Sequence, residues 1–514
     1  MDNPCHIWVD FDYVPRAMLP GLSMGTRRSI SLSRNQSTTM SIDLQIISDR
    51  LHEFGQQHLL QTASELSDTD LESLITSINA IDLDLINKLT CNSTADISPL
   101  LDTAVVNPPN ALRLTDKNVQ LASGNIVSRC EAIDAGEALL NNHALGVIVV
   151  AGGQGTRLAF DHPKGMYPIG ELSGRTLFQF VTDKIKALSS RYGYCVPLFV
   201  MTSPPVHNDT VQYFNENNNF GLGEDRLFFF CQGTMPAVDQ TTGKILMQSK
   251  SELCLSPNGH GGMLSALKDS GVLAWCREHK ISTLFYSQID NPLSQIGDPL
   301  LLGIHKLSDA DISMQVIEKQ HADDRTGNVV LIDDITQMIE YSEMPTELAA
   351  QTHTNTEGEE SLRFWASNIA VHTFNTDFLL RMSEDADALP FHLAAKKVPY
   401  WENGELVSPT VPNAYKFEQF IFDLLPHAQN TMVVEVERSV AFAPVKNAPG
   451  AAFNTVATSR ATMNELYHRW LTESDCKVND SVVVEINARF ALNQAQLQLR
   501  ELPEQIDADT YFQL

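Results

Sequence analysis

Between Gly146 and Lys164 the chain passes from a strand signal into a glycine loop, and this passage limits the fold more than any other stretch. Val147, Ile148, Val149 and Val150 form an apolar β-branched run, the pattern of a strand covered on both faces. Ala151-Gly152-Gly153-Gln154-Gly155-Thr156-Arg157-Leu158 follows, and after a short spacer Pro163-Lys164. A helix is predicted from about Thr176, with Leu177, Phe180, Val181, Ile185 and Leu188 turned inward. Further strands are predicted at 196–201, 227–231, 283–286, 312–317 and 432–436. Strands alternating with helices imply an α/β fold with a mostly parallel sheet, because parallel neighbours need a crossover. Ligands in such sheets bind outside the carboxyl ends of the strands, where the glycine loop lies.

The loop has the chemistry of a phosphate cradle. Glycines let backbone N–H groups approach an anion without a Cβ in the way. Arg157 adds a planar fork of donors and Lys164 a compact point charge. The P-loop string is missing, and the dinucleotide fingerprint fails because Leu158 stands where a third glycine is needed. A glycine loop alone is equally well a tight turn. Its combination with Thr156-Arg157-Leu158 and Pro163-Lys164 is more specific. The formal net charge of −27 argues against sequence-independent nucleic-acid binding. In so acidic a chain, cations gathered near one loop are informative.

The 514 residues correspond to about three domains. Residues 1–39 read as a disordered extension, or as sequence upstream of a start at Met40, although Arg27, Arg28 and Arg34 among serines faintly resemble a transit segment. They contain acidic residues and no apolar core of a secretory signal. Residues 40 to about 110 read as helical, with Leu44, Ile47, Leu51 and Phe54 on one face. A second helix starts near Ser67, which Asp70 helps to cap. Pro108-Pro109 mark a linker to the α/β domain over 111–411. Residues 412–514 form a small C-terminal α+β module that completes the site, with helices predicted around 417–424 and 462–471. No run of 18 apolar residues occurs. The eight cysteines form no CxxC pair and read as reduced core residues of a cytoplasmic protein.

The run AGGQGTRL…PKGMYPIG resembles the signature of the UDP-N-acetylhexosamine pyrophosphorylases, within the UTP:sugar-1-phosphate uridylyltransferases. The resemblance recurs in order at Met201–Pro205, Gln232–Ala237, Pro257–Gly262, Asp290–Leu293, Glu340–Glu343, Ser367–His372, Lys396–Tyr400, Asn413–Asp423 and Phe442–Ala448. It extends back to Gly55–Leu60, so that it covers about residues 40–470. It implies a Rossmann-like, GT-A-like nucleotidyltransferase domain that makes UDP-N-acetylglucosamine, or UDP-N-acetylgalactosamine, and pyrophosphate from UTP and the sugar 1-phosphate.

The resemblance also implies roles. Val150, Ala151, Gly152, Gly153, Lys164, Gln232, Gly259, Asp290 and Lys416 would bind UTP, with Asp290 near Mg²⁺. Glu340, Tyr341, Asn368 and Lys446 would bind the sugar phosphate, with His260 beside them. Arg157, Lys164 and Lys446 would stabilise charge during transfer. Outside these strings Asp290 reads as a strand-end turn residue before Asn291-Pro292, and Lys416 as a solvated lysine on a helix. Three positions depart from the family pattern. Ala159 replaces a glycine, His260 an asparagine, and Ser367 the glycine before Asn368. They bear on the sugar, and leave open a UDP-glucose or UDP-galactose type of pyrophosphorylase, or a non-catalytic nucleotide-sugar binding protein.

Overall fold

A computed structural model describes residues 35–91, 104–354, 358, 360–385 and 387–514, and of the side chains of residues 35–43 nothing is said. The sequence reading of residues 1–34 lies outside these. The chain divides after Gln57 into two units. The first contributes the helix Asn35–Glu53, which starts before the first apolar-periodic residue and buries Ile47 and Leu51.

In the second unit, Ser67 caps the helix Asp68–Asn79 by accepting the Asp70 N–H, and Leu74 and Ile78 face inward. The predicted linker prolines lie between two short strands, Val106–Asn107 and Ala111–Leu112. A central sheet follows the spatial order Ala111–Leu112, Thr431–Glu435, Ile312–Glu318, Ala366–Asn375, Thr283–Gln288, Leu145–Val150, Leu198–Thr202 and Leu227–Cys231. Every pairing along this path is parallel except the two made by Ala366–Asn375. That strand, which periodicity alone does not reveal, links the nucleotide-loop half of the sheet to the half completed by Thr431–Glu435. A hairpin, Asn328–Ile332 with Ile335–Ile339, attaches to its edge.

Both faces of the sheet are covered. Val147 and Val149 join one apolar cluster and Ile148 another, as expected of a strand that alternates its side chains between two cores. Thr176 caps the helix Leu177–Tyr192 in a reciprocal capping box with Gln179, and Gly193 ends it at positive φ.

One predicted helix is corrected. Residues 414–418 form a strand, paired with His392–Lys396 on one side and with Val238–Asp239 on the other, and a 3-10 segment Ile421–His427 follows. The period-two geometry puts Lys416 and Glu418 on one face, which a helix would not do. The cysteine reading is corrected in part. All seven described cysteines are free, but Cys91, Cys130 and Cys195 are exposed and only Cys254, Cys276 and Cys476 are buried. Among the described residues no helix is long and apolar enough to cross a membrane.

Candidate active site

At the carboxyl ends of Leu145–Val150 and Thr283–Gln288 lies a cleft of about 550 Å³. The sheet ladder continues past the strands and sets the loops in place. Ala151 N–H donates to Met201 O, Ile289 N–H to Val150 O, and Gln232 N–H to Thr202 O. The Ser203 hydroxyl holds the Gly152 carbonyl at 2.6 Å. The glycine loop then folds back on itself. Gly155 N–H donates to His162 O, and Lys164 N–H to Gly153 O at 3.0 Å. This closure carries Lys164 back beside the glycines, which is why Pro163-Lys164 belongs to the motif despite the spacer.

Lys164 Nζ lies 3.1 Å from Asp290 Oδ2. Burial alone would raise the Asp290 pKa; the charges of Lys164 and Lys446 outweigh it and hold the carboxyl below its ordinary value. Lys446 reaches the site through a stitched loop. Asn291 Nδ2–H donates to Ala441 O, its Oδ1 accepts from Ala443 N–H, and Val445 N–H donates to Asp290 O at 2.9 Å. Asn291 is therefore a positioning residue that the sequence reading left as part of a turn. Lys184 is another. Its buried Nζ donates to Pro292 O and Ser294 O, and burial pushes its pKa down to about 7. Its signal was available, since it falls on the inward face with Leu177, Val181 and Leu188.

Val150, Gly152, Gly153, Arg157, Lys164, Gln232, Gly259, His260, Asp290, Lys416 and Lys446 all line the cleft. Arg157 is exposed and makes no ion pair among the described residues. Four cations, Arg157, Lys164, Lys416 and Lys446, face two carboxylates, Asp290 and Glu418. The cleft thus carries positive charge in a chain of net charge −27, which suits a polyphosphate. Ala151 is fully buried and outside the lining. Gly259 adopts φ +85°, and a Cβ there would run into the Gln419 carbonyl. Gly261 N–H donates to that same carbonyl, and Gln419 N–H to Asn258 O. This close approach fixes one wall of the cleft to the segment after Lys416.

The remaining sugar candidates, Glu340, Tyr341 and Asn368, are outside the cleft lining, and Glu340 lies near enough to feel the Lys446 charge. Glu340 ends the Ile335–Ile339 hairpin arm; burial, then the nearby Glu343, raises its pKa. Tyr341 is 48% exposed. Asn368 caps a bulge in the Ala366–Asn375 strand, its Oδ1 accepting Ala370 N–H at 3.0 Å, and its amide meets the Met338 sulfur. The His260 Nδ1 accepts the Ile421 N–H, which leaves the proton of the neutral ring on Nε2. Burial and then the Lys446 charge push its pKa down to about 4, so the ring is neutral at pH 7. Ser367 is buried with its hydroxyl donated to Thr326, and does not line the cleft. Ala159 sits at φ +53°, which accounts for a glycine at that position in the family pattern.

Among the described residues no group of three or more His, Cys, Asp and Glu is arranged to hold a metal ion. The single carboxylate of Asp290 nevertheless fits Mg²⁺, which one or two carboxylates hold together with substrate phosphates and water.

Comparison with known proteins gives the family and the fold. A family model described as UTP–glucose-1-phosphate uridylyltransferase matches residues 102–511. The chain is 32% identical over 464 residues to UDP-N-acetylglucosamine pyrophosphorylase of Saccharomyces cerevisiae, covering 85% of this chain and 93% of that protein. It is 31% identical to UDP-N-acetylhexosamine pyrophosphorylase-like protein 1 of Homo sapiens, covering 84% and 86%. The crystal structure of a UDP-N-acetylglucosamine pyrophosphorylase from Entamoeba histolytica superposes with TM-score 0.68 at 29% identity, over 75% of this chain and 96% of that one. One from Trypanosoma brucei shares the fold with TM-score 0.75 at 24% identity, over 91% and 98%. With the family model matching residues 102–511 and relatives above 30% identity covering more than four fifths of the chain, the chain belongs to the UDP-N-acetylhexosamine pyrophosphorylases within the UTP–glucose-1-phosphate uridylyltransferase family.

Proposed function

We propose that the protein joins UTP to N-acetylglucosamine 1-phosphate, or N-acetylgalactosamine 1-phosphate, releasing pyrophosphate and UDP-N-acetylhexosamine. The observation that carries this reading is the flanking of Asp290 by two lysines from distant segments, Lys164 and Lys446. Two anions must meet in the reaction, and each needs its own cation.

A sugar-phosphate oxygen forms a bond to the α-phosphorus of UTP while the bond to the bridging oxygen breaks in line. The electron pair leaves on pyrophosphate. The attacking phosphate is already anionic at neutral pH, so no protein base is required. Catalysis is then positioning and charge stabilisation. In this reading the N–H groups around Gly152 and Gly153 cradle the triphosphate, and Arg157 and Lys164 take up charge on the departing pyrophosphate. Gln232 and Gly259 stand where the base would lie, and Lys416 supports the phosphates. Lys446 holds the attacking phosphate and offsets the repulsion between the two anions. Glu340, Tyr341 and Asn368 are assigned to the sugar. Mg²⁺ beside Asp290, when bound, would supply further neutralisation of phosphate charge. A cytosolic setting belongs to this reading, and the free thiols of the seven described cysteines support it.

His260 is the specific observation that favours a second reading, in which the acceptor is glucose or galactose 1-phosphate. The test of the main reading is product analysis after incubating purified protein with UTP, Mg²⁺ and N-acetylglucosamine 1-phosphate. Equimolar UDP-N-acetylglucosamine and pyrophosphate are expected. UTP binding without either product would place the chain among non-catalytic binding proteins.

A further inference from the structure

Three carboxylates, Glu340, Glu343 and Asp423, converge beside the sugar end of the cleft, where an anionic substrate would have to approach. They come from two separate segments, the turn after the Ile335–Ile339 hairpin arm and the 3-10 segment Ile421–His427. Such a gathering is unstable without a cation between its members.

His392 stands in that position. It opens the strand His392–Lys396 and pairs directly with Glu418, which lines the cleft. Its Nε2 is 2.8 Å from Asp423 Oδ2, and its Nδ1 is 3.8 Å from Glu343 Oε1. Its ring packs on Phe420 at 4.7 Å between centroids. Phe420 in turn stacks on Phe422 at 4.9 Å and touches the His260 ring at 5.4 Å. A continuous path of contacts therefore runs from Glu343 through His392 and Phe420 to His260 in the cleft wall.

We propose that His392 is a positioning residue for the sugar 1-phosphate, tying the Glu340–Glu343 turn to the Phe420–Asp423 segment so that both walls of the sugar end hold one geometry. This rests on the uridylyltransferase reading of the cleft. With a carboxylate at each ring nitrogen, the ring acts as a doubly protonated cation. Burial by itself would lower its pKa, but the hydrogen bond to Asp423 and the negative charges of Asp423 and Glu343 outweigh it and push it up to about 10. Glu340 and the cross-strand neighbour Glu418 are the other charged groups around it, and Lys446 acts on Glu340. The stabilisation is complete below the ordinary histidine value and is lost as pH rises through about 10.

The test is steady-state kinetics of the full chain, varying each substrate in turn, with calorimetric titration of UDP and UDP-N-acetylglucosamine. His392→Gln is expected to raise KM for N-acetylglucosamine 1-phosphate about tenfold, while KM for UTP and the affinity for UDP stay within about twofold. Glu343→Gln, on the more exposed contact, is expected to shift the same constant in the same direction by about threefold, and serves if the histidine variant does not fold. An active parent whose soluble variants change both KM values together, or neither, would overturn the inference alone. A parent that turns over no sugar 1-phosphate would remove the functional reading, and this inference with it.

Discussion

The two ends of the cleft are built in different ways. The nucleotide end is made by loops that leave parallel strands, and each loop continues the ladder of its neighbour. Its key ion pair, Lys164 with Asp290, joins two such loops side by side. The end assigned to the sugar is made by the turn after a hairpin, a bulged antiparallel strand of the central sheet and a 3-10 segment, and side chains tie the turn to the 3-10 segment. Its key cluster, His392 with Asp423 and Glu343, ties together elements that share no strand pairing with one another. A ladder fixes its loops cooperatively, whereas a side-chain cluster is altered by one substitution. On the proposed assignment, the nucleotide end is thus suited to chemistry common to the family, and the sugar end to variation in substrate.

This contrast can be broken by substitutions at different places. The largest effect is expected at the nucleotide end. Lys164→Ala removes the cation that is paired with Asp290 and assigned to the departing pyrophosphate, so kcat should fall by roughly 10²–10³ in a pyrophosphate-release assay, with KM for the sugar phosphate little changed. Near-full turnover would remove Lys164 from the mechanism. A smaller effect, felt at both ends, is expected at their junction. Gly259→Ala forces a Cβ onto the Gln419 carbonyl at positive φ, and should cost about 2 kcal/mol in denaturant unfolding while raising both KM values. A change confined to one substrate would show that this wall is not shared. The smallest effect belongs to neither end. Ala159→Gly relieves a left-handed alanine and should add about 1 kcal/mol of stability with unchanged kinetics. A kinetic effect there would mean that the loop after Leu158 moves during turnover.

The same contrast explains what could be read from sequence. The strand 145–150, its glycine loop and the returning Pro163-Lys164 are local, so periodicity and composition announce them. Asp290 and Lys446 needed the family strings, because they come together only through long-range bonds, those of Asn291 and that from Val445 N–H to the Asp290 carbonyl. The Ala366–Asn375 strand escaped because it is largely covered on both faces and lacks alternation. Lys416 was placed on a helix because a short Tyr-Lys-Phe-Glu stretch carries too few residues to separate the two periods. Its strand pairing, with partners far away in sequence, decided the matter. His392 carried no signal at all, since its role arises only when Asp423 and Glu343 close around it.

The most direct measurement is a competition in which N-acetylglucosamine 1-phosphate and glucose 1-phosphate share one pool of UTP and Mg²⁺, with the UDP-sugars separated and counted. UDP-N-acetylglucosamine should dominate by at least about tenfold, showing that a neutral His260 is accepted in an acetamido-sugar site. Dominance of UDP-glucose would contradict this account of the sugar end and leave only the nucleotide end standing.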